Sequence, residues 1–449
     1  MRRLLAIGFV WLCSAGAWAI LGSTLAVRSD AASGSLASEV RALWGPPLVQ
    51  APPSALGKER HRVRVAEQRF DEKARRYFQV TREDEVETER ALVLERSDVD
   101  VRLALEHRRK GLLWFPTYGV AFQGRYTLRN DSGEERRARV VFPIEPGVTY
   151  DGFVVRGADG APLEVAFEEV KEGGDGLPES MRPRQARAVL ERLVGPGEAI
   201  ELGVDYRARG TERWSYGVEG EGLGPEKGRA RNFRLSVATD FEDVDFAAGT
   251  LSPSEQRAAG GRWEGTWKFE QIVGTKSVGV VLPEKLNPGP LATKLTFFAP
   301  VSLLFFFFVT GMLLAARARS IHPVNYFLLA CAFFAFHLLF SYLIDHVAVA
   351  PAFAAASLVS VALVVSYARL VVGWRTALLQ IGVSQLVYLV LFSVTFFWKG
   401  YTGLAITIGA ILTLFVIMQL TGRTDWDRAF GRVPPLPPPF PAPRGEARG

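Results

Sequence analysis

Residues 295–315 read LTFFAPVSLLFFFFVTGMLLA, a run without a single charged side chain. It is the first of five apolar runs between Leu286 and Gly422, which short polar joints separate. Each run holds about 19 to 24 residues, enough for a helix to cross a hydrocarbon core about 30 Å thick. The pattern therefore predicts a C-terminal bundle of five transmembrane helices over residues 286–422. The five runs are Leu295–Ala315, Val324–Val347, Ala350–Val372, Thr376–Trp398 and Thr402–Leu420.

A further apolar run, Leu4–Val27, follows the basic N-terminal sequence MRR. A basic start, an apolar run and the sequence AWA at 17–19 are also typical of a cleavable signal peptide. The apolar residues continue past Ala19, however, to the length of a full span. We therefore favour a retained N-terminal transmembrane anchor over residues 1–27.

Positive charges predict the orientation of these helices. Arginines cluster at alternate joints, whereas the turn at 348–350 has no basic residue and the turn at 398–401 has only Lys399. By the positive-inside rule both termini are then cytoplasmic and the region between the first two spans is periplasmic. The arginines on the cytoplasmic side are Arg2, Arg3, Arg317, Arg319, Arg369, Arg375, Arg423, Arg428 and Arg432.

The region between the first two spans contains no cysteine, because Cys13 and Cys331 both lie in predicted spans. Disulfides therefore cannot stabilise it, and it needs an ordinary hydrophobic core. Its small, polar and Pro-rich start predicts a linker over residues 28–58, followed by a folded domain over 59–285. The formal net charge of +6 is explained by membrane orientation, so we predict no nucleic-acid partner.

Apolar and polar residues alternate with a period of two through much of 59–285. Val99, Val101 and Leu103, for example, are separated by Asp100 and Arg102. One apolar and one polar face per strand is typical of an antiparallel sheet with one side exposed to water. The sequence therefore predicts a periplasmic antiparallel β-sandwich region. Similar alternation occurs within 120–128, 163–168, 200–207, 233–241 and 263–269.

Signatures of catalysis are missing from the sequence. It contains no HExxH, GxSxG, Walker-type or CxxC motif. His61 and His107 are the only histidines in 59–285, too few for a familiar zinc site. A cluster of carboxylates at 240–245 lacks the spacing of a calcium loop. We therefore predict a non-enzymatic protein with no catalytic residue, no cofactor and no metal.

Polar residues within two of the spans are the candidate site residues. His337, Ser341 and Asp345 recur every four residues, which would place them on one stripe of a helix. Gln380 and Gln385 put amides on the fifth span. One hypothesis is a proton or ion relay, because ionisable groups at membrane depth usually face a bundle interior or a water-filled cavity. The alternative, which we favour, is interhelical hydrogen bonding at about 0.6–2 kcal/mol per bond.

Beyond residue 422 the tail contains the sequence PPLPPPFP at 434–441. Such a composition favours an extended polyproline conformation. Residues 423–449 are therefore predicted to be a Pro-rich cytoplasmic tail.

Several short segments of the sequence are distinctive: LNPGPLA at 286–292, FAPVSLLFFF at 298–307, HPVNY at 322–326, SYLIDH at 341–346, TGLAITIG at 402–409, VATDF at 237–241 and TLSP at 250–253. These segments resemble the CreD family of bacterial inner-membrane proteins. The resemblance implies an N-terminal anchor, a β-rich periplasmic domain and a C-terminal helical bundle in the inner membrane. It also implies an association with envelope integrity and envelope stress, without a known reaction.

Together these observations predict a multi-pass inner-membrane protein of the envelope-integrity or envelope-stress type. Its periplasmic β domain is expected to bind a periplasmic protein or a cell-wall component, and its remaining partner is the lipid bilayer. One alternative is a transporter or flippase-like protein that uses the polar residues of the third span, although paired broken spans are missing. A second alternative is a periplasmic enzyme of unrecognised type.

Overall fold

The structure, a computed structural model, describes residues 2–71, 76–171, 184–217, 229–273, 276–316, 321–398 and 400–422. The chain divides into two compact units. The helical unit joins Met1–Ser33 to Leu286–Gly449, and the β-rich unit is Gly34–Lys285. The predicted Pro-rich tail, Arg317, Arg319 and Lys399 lie outside the described residues.

Six helices among the described residues are long and apolar enough to cross a membrane, judged by length and composition. They coincide with the six apolar runs of the sequence. The fifth contains two π-helical segments, Ala377–Gly382 and Leu386–Leu391. The helices are α1 (Arg2–Trp44), α2 (Pro288–Ala315), α3 (Pro323–Leu343), α4 (Val349–Val372), α5 (Trp374–Phe397) and α6 (Thr402–Thr421).

The linker predicted over 28–58 is wrong, because helix α1 continues without a break to Trp44. The small and polar residues of 28–44 include no proline, and the one glycine among them is tolerated. The helix ends only at Gly45, which has φ of +108° and donates its N–H to the Arg41 carbonyl at 2.9 Å. Strand β1 then begins at Leu48.

The helical unit has a core rich in aromatic side chains. Trp18 of α1, Phe306 of α2, and Phe333 and Phe336 of α3 are all fully buried in it. Trp18 lies with its ring centroid 5.3 Å from that of Phe334. Helix α1 is therefore packed into this unit by a large side chain rather than attached by its backbone alone.

Within the described residues, the β-rich unit contains three sheets of eight, five and three strands. Their orders are β14-β15-β13-β4-β5-β11-β7-β8, β3-β2-β6-β10-β9 and β1-β12-β16. The strands are β1 (Leu48–Gln50), β2 (Ser54–Asp71), β3 (Arg76–Ala91), β4 (Val93–Lys110), β5 (Leu113–Arg129), β6 (Arg136–Ile144), β7 (Tyr150–Arg156), β8 (Pro162–Leu163), β9 (Ala166–Lys171), β10 (Arg184–Val194), β11 (Ala199–Thr211), β12 (Arg213–Tyr216), β13 (Arg229–Thr239), β14 (Glu255–Ala259), β15 (Arg262–Val273) and β16 (Val278–Val281).

Alternation places one face of these strands in a common core. On β4, Val99, Val101 and Leu103 are buried while Asp100 and Arg102 are exposed. Buried residues from all three sheets join in one hydrophobic cluster. The region is nevertheless not purely antiparallel, since β1 pairs with β12 and β4 with β13 in parallel. Alternation predicts which face of a strand is buried but not which strand it pairs with.

Tyrosines in this core predict an alkaline transition. Burial raises the pKa of Tyr150 and of Tyr216 to about 12 and holds those of Tyr126 and Tyr206 well above 10. A pKa raised by folding contributes stability that is complete below the unfolded value near 10 and is lost as pH rises through the folded value. We therefore expect the β-rich unit to lose stability between about pH 10 and 12.

This transition is measured on the full chain in detergent by following phenolate absorbance and the β-sheet circular dichroism signal together. We expect exposed tyrosines to ionise first, and the buried ones to ionise only as the sheet signal is lost. Ionisation of every tyrosine near pH 10, with the sheet signal unchanged, would contradict the prediction.

Candidate functional site

His337 is buried among aromatic rings rather than beside a charged partner. Its ring centroid lies 5.6 Å from that of Trp18, 6.1 Å from Phe333 and 4.9 Å from Phe336. Its Nδ1 is 3.4 Å from the carbonyl oxygen of Phe333, one turn earlier on α3. The surroundings of His337 are those of a packed core side chain.

Asp345 is not on the predicted stripe, because α3 ends at Leu343 and Asp345 lies in the turn that follows. Ser341 is buried on α3, and its hydroxyl donates to the Leu338 carbonyl at 2.7 Å. The stripe therefore does not extend from His337 to Asp345, which removes the outer member of the relay hypothesis. The predicted span ends at Val347, whereas α3 ends at Leu343 and residues 344–346 form a turn.

Asp345 has an ion-pair partner, Arg28, that the sequence pattern did not indicate. Its guanidinium lies 3.1 Å from the Asp345 carboxylate and donates to the Ser341 carbonyl at 2.9 Å. A cation at the C-terminal end of a helix also interacts favourably with the helix dipole. Both charged side chains are nearly half exposed, at 41% and 46%, so the ion pair itself contributes little stability. Its effect is to position α1 against the end of α3.

Gln385 belongs to a different set of contacts. It is fully buried, and its Nε2 donates to Ser360 Oγ at 2.9 Å. Ser360 in turn donates to the Ala332 carbonyl at 2.7 Å, so the chain of hydrogen bonds joins α5, α4 and α3. Gln385 Oε1 is without a hydrogen-bond partner in the part of the chain that the structure describes. Gln380 lies half-buried on the same helix, inside the first π-helical segment.

Gln385→Leu tests whether this amide is structural. We expect a stability change of less than about 1 kcal/mol, since one hydrogen bond is lost while an unsatisfied buried acceptor is removed. The measurement is the thermal midpoint of the detergent-solubilised chain, with Ser360→Ala as a companion variant. Strong loss of stability in Gln385→Leu would contradict the assignment.

A groove on the exposed face of the eight-stranded sheet is the strongest candidate site. It has a volume of about 1110 Å³ and crosses strands β15, β13, β4, β5, β11 and β7. Cross-strand register places one row of its lining residues side by side on that face. The row runs Glu264, Ala238, Arg102, Ala121, Arg207 and Asp151.

The floor of this groove is built from small residues. Ala104 on β4, Gly119 and Ala121 on β5, and Ala238 on β13 all line it. A Cβ atom placed on Gly119 would meet nothing within 4 Å. The sheet is thus open to a ligand at these positions.

Arginines stand on both sides of this floor. Arg102 on β4 and Arg207 on β11 are the cross-strand neighbours of Ala121 on β5. Adjacent strands lie about 4.8 Å apart, so the Cα atoms of these arginines are separated by roughly 10 Å. Neither guanidinium has an ion-pair or hydrogen-bond partner among the residues described. We call this site the arginine groove, after Arg102, Arg207, Arg209 and Arg262, which line it.

Trp44, at the end of α1, forms part of the wall. The guanidinium of Arg209 lies 4.6 Å from its ring centre and that of Arg108 lies 4.2 Å from it. Such cation–π contacts hold the indole in place.

Carboxylates lie at the outer ends of the row. Asp151 follows Arg207 on one side, and Glu264 is separated from Arg102 by Ala238 on the other. Both are exposed. Along this row the charge is therefore positive on β4 and β11 and negative on the outer strands β15 and β7.

A second hollow on the same face differs in how its charges are paired. It is lined by Asp98, Arg125, Arg156 and Asp205, among others. Asp98 is ion-paired with Arg234 at 3.1 Å, and Asp205 with Arg156 at 3.2 Å. Most of its charges thus neutralise one another, unlike those of the arginine groove.

The carboxylate cluster at 240–245 has a structural role. Asp240 accepts a hydrogen bond from the Leu105 backbone at 2.8 Å, and Glu242 accepts one from the Gly261 backbone at 2.7 Å. Asp245 accepts one from the Phe246 backbone at 2.8 Å. Throughout the described ranges, no group of three or more metal-ligating side chains comes together.

Sequence reasoning missed the arginine groove because its residues are scattered over more than 160 positions of the chain. Alternation places each of them on the exposed face of its own strand. Only the strand order and register bring them into one row.

Comparison with known protein families gave a match over the C-terminal part of the chain. Residues 255–427, which include β14–β16 and α2–α6, match the family model of the inner membrane protein CreD. Curated protein sequences gave no significant match.

Two solved structures are only weakly similar to this chain. One, described as a nutrient-binding protein from Legionella pneumophila, has 10% identity and a TM-score of 0.30, covering 56% of this chain and 82% of its own. Another, described as a protease from Parabacteroides distasonis, has 13% identity and a TM-score of 0.26, covering 48% and 46%. TM-scores this low indicate neither the fold nor the function of this chain. The match over residues 255–427 confirms the resemblance that the sequence indicated: over these residues this membrane-associated chain is similar to the inner membrane protein family CreD.

Proposed function

We propose that this chain is a non-enzymatic, multi-pass inner-membrane protein of the envelope-integrity or envelope-stress type. Its β-rich unit lies in the periplasm and binds a protein or a cell-wall component there. The observation that carries the proposal is the arginine groove, an open concave face on which Arg102 and Arg207 have no partner among the described residues.

The placement of charges supports this topology. Arg369 and Arg375 flank the joint between α4 and α5, while the α3–α4 turn carries no lysine or arginine. A retained first span is supported by the packing of α1. Trp18 is fully buried, and Trp11 Nε1 donates to the Pro300 carbonyl at 2.8 Å. Cleavage after Ala19 would remove both contacts.

Chemistry of the groove supports a binding role rather than catalysis. Its described lining contains arginines, carboxylates and threonines, but neither a histidine nor a cysteine. Thr239 is buried and its hydroxyl donates to the Phe241 carbonyl at 2.5 Å. The Thr239 hydroxyl is therefore engaged with a backbone carbonyl and is not presented to a ligand.

The topology is tested with single cysteines in a chain whose Cys13 and Cys331 have been replaced by serine. Ala121→Cys is expected to react with a membrane-impermeant thiol reagent in cells with a permeabilised outer membrane. Reaction only after the inner membrane is opened would place the β-rich unit on the cytoplasmic side and overturn the proposed location.

Binding is tested by in-cell photocrosslinking. A photoreactive residue replaces Ala104 or Ala121 in the groove, and Arg125 in the second hollow serves as the matched control on β5. We expect a reproducible adduct, identified by mass spectrometry, from the groove positions and not from Arg125. Equal labelling at all three positions, or none at any, would contradict the proposal.

A further inference from the structure

We infer that the arginine groove binds the peptide part of cell-wall material: an extended peptide with a carboxylate near its centre of contact and an amine to one side. This inference rests on the proposed function above and names the ligand class of the same site. Three features of the groove support it, namely its arginines, its length and its flanking carboxylates.

A carboxylate fits the centre of the groove. Above Ala121 and Gly119 an anion would be approached by Arg102 from β4 and by Arg207 from β11. Guanidinium groups form planar, paired hydrogen bonds with carboxylates, and such charge-assisted bonds are among the strongest in proteins. The alanines and the glycine of the floor have no side-chain atom beyond Cβ, so none of them blocks this approach.

The length of the groove fits a short extended chain. From Glu264 on β15 to Asp151 on β7 the row crosses six adjacent strands, a span of roughly 24 Å at about 4.8 Å per strand. An extended peptide advances about 3.3 Å per residue, so up to about seven residues fit. A stem peptide of the cell wall is shorter than this limit.

The flanking carboxylates require a ligand of mixed charge. Asp151 lies two strands from Ala121 and Glu264 lies three strands from it, roughly 10 and 14 Å away. An amine two to four residues from the bound carboxylate reaches one of them. A long polyanion would instead be repelled at both ends of the row. Trp44 is already covered by two guanidinium groups, which disfavours sugar stacking as the main contact.

The test uses the full chain in lipid nanodiscs. The probe is a synthetic pentapeptide, L-Ala-γ-D-Glu-L-Lys-D-Ala-D-Ala, labelled at its N-terminus, and the measurement is its dissociation constant by fluorescence anisotropy. We expect Arg102→Ala and Arg207→Ala each to weaken binding roughly tenfold, because each removes a charge-assisted contact. Arg125→Ala, which removes an arginine from β5 outside the groove, is expected to leave binding unchanged.

Gly119→Val gives a steric test that keeps every charge. The open space at this position lets the variant fold, and valine suits a strand. We expect it to abolish peptide binding while the circular dichroism spectrum stays unchanged. Amidation of the peptide's carboxylates is expected to weaken binding to the unaltered chain by at least tenfold.

Three results would overturn the inference. Peptide binding that is indifferent to Arg102→Ala, Arg207→Ala and Gly119→Val would place the peptide elsewhere, and the proposed binding role would stand without this site. No peptide binding, combined with a protein adduct from Ala121 in cells, would leave the proposed function in place with a different ligand class. Absence of both peptide binding and any adduct would overturn the inference and the proposed function together.

Discussion

Replacing Gly210 by alanine is expected to destabilise the β-rich unit by about 2–5 kcal/mol. A Cβ atom at this position would lie 2.5 Å from Tyr118 Oη and 2.6 Å from Tyr118 Cζ. The Tyr118 ring is fully buried, so it has little room to move. Its hydroxyl donates to the Arg213 carbonyl at 2.8 Å and accepts from the Leu48 N–H at 3.2 Å.

Two penalties therefore combine in Gly210→Ala. Overpacking a filled core costs about 1–3 kcal/mol. Displacing the hydroxyl also leaves the Leu48 N–H and the Arg213 carbonyl without their partner, which adds about 1–2 kcal/mol. These contacts join β5 to β1 and β12, so losing them weakens the packing between the eight-stranded and the three-stranded sheets.

Gly119→Ala is the matched control. Gly119 follows Tyr118 on β5 and pairs with Arg209, next to the Gly210–Tyr118 pair. A Cβ there meets open space, so we expect a change within about 0.5 kcal/mol, of either sign. The measurement is denaturant unfolding of the detergent-solubilised chain, followed by the sheet signal in circular dichroism. Equal stability of the two alanine variants would contradict the close contact at Gly210.

Trp18→Ala is expected to cost the helical unit about 3–5 kcal/mol. Trp18 is fully buried, with its ring centroid 6.2 Å from Phe333, 5.3 Å from Phe334 and 5.6 Å from His337. Helices in lipid associate through close packing, because lipid tails are as apolar as the side chains they replace. Removing the indole therefore leaves a cavity at the contact between α1 and α3. The lost packing energy is not compensated, because the surrounding lipid offers no hydrophobic driving force.

Phe9→Ala serves as the control for Trp18→Ala. Phe9 lies on the same helix but is 67% exposed, so its ring makes few contacts within the unit. Trp18→Phe separates ring packing from the indole N–H, which has no hydrogen-bond partner among the described residues, and it is expected to retain most of the stability. The readout is the thermal midpoint of the chain in detergent. Equal losses in Trp18→Ala and Phe9→Ala would show that α1 is not held by Trp18.

The sequence predicted the local elements well and their assembly poorly. Apolar runs long enough to span a bilayer, and alternation such as Val99-Asp100-Val101, reflect the environment of single helices and strands. The pairing of β13 with β4 depends on contacts more than 130 residues apart, which no local pattern encodes. The arginine groove depends on several such pairings at once, and so it was found only from the register.

Two errors have more specific causes. The small and polar residues of 28–44 predict a linker, but such residues are compatible with a helix that the preceding turns have already started. The stripe from His337 to Asp345 assumed a helix one turn longer than α3. Arg28 was missed as the partner of Asp345 because more than 300 residues separate them.

The helical unit is discontinuous in sequence, which has a consequence for how the protein is made. About 250 residues separate Ser33 from Leu286. At about 5–20 residues per second, a ribosome needs roughly 13 to 50 s to synthesise them. In the topology proposed above, α1 stands alone in the bilayer during that interval, with Trp18 facing lipid instead of Phe333 and Phe334. In that topology one helix holds the nascent chain while its β-rich segment crosses the membrane, and the aromatic core closes only when translation reaches α3.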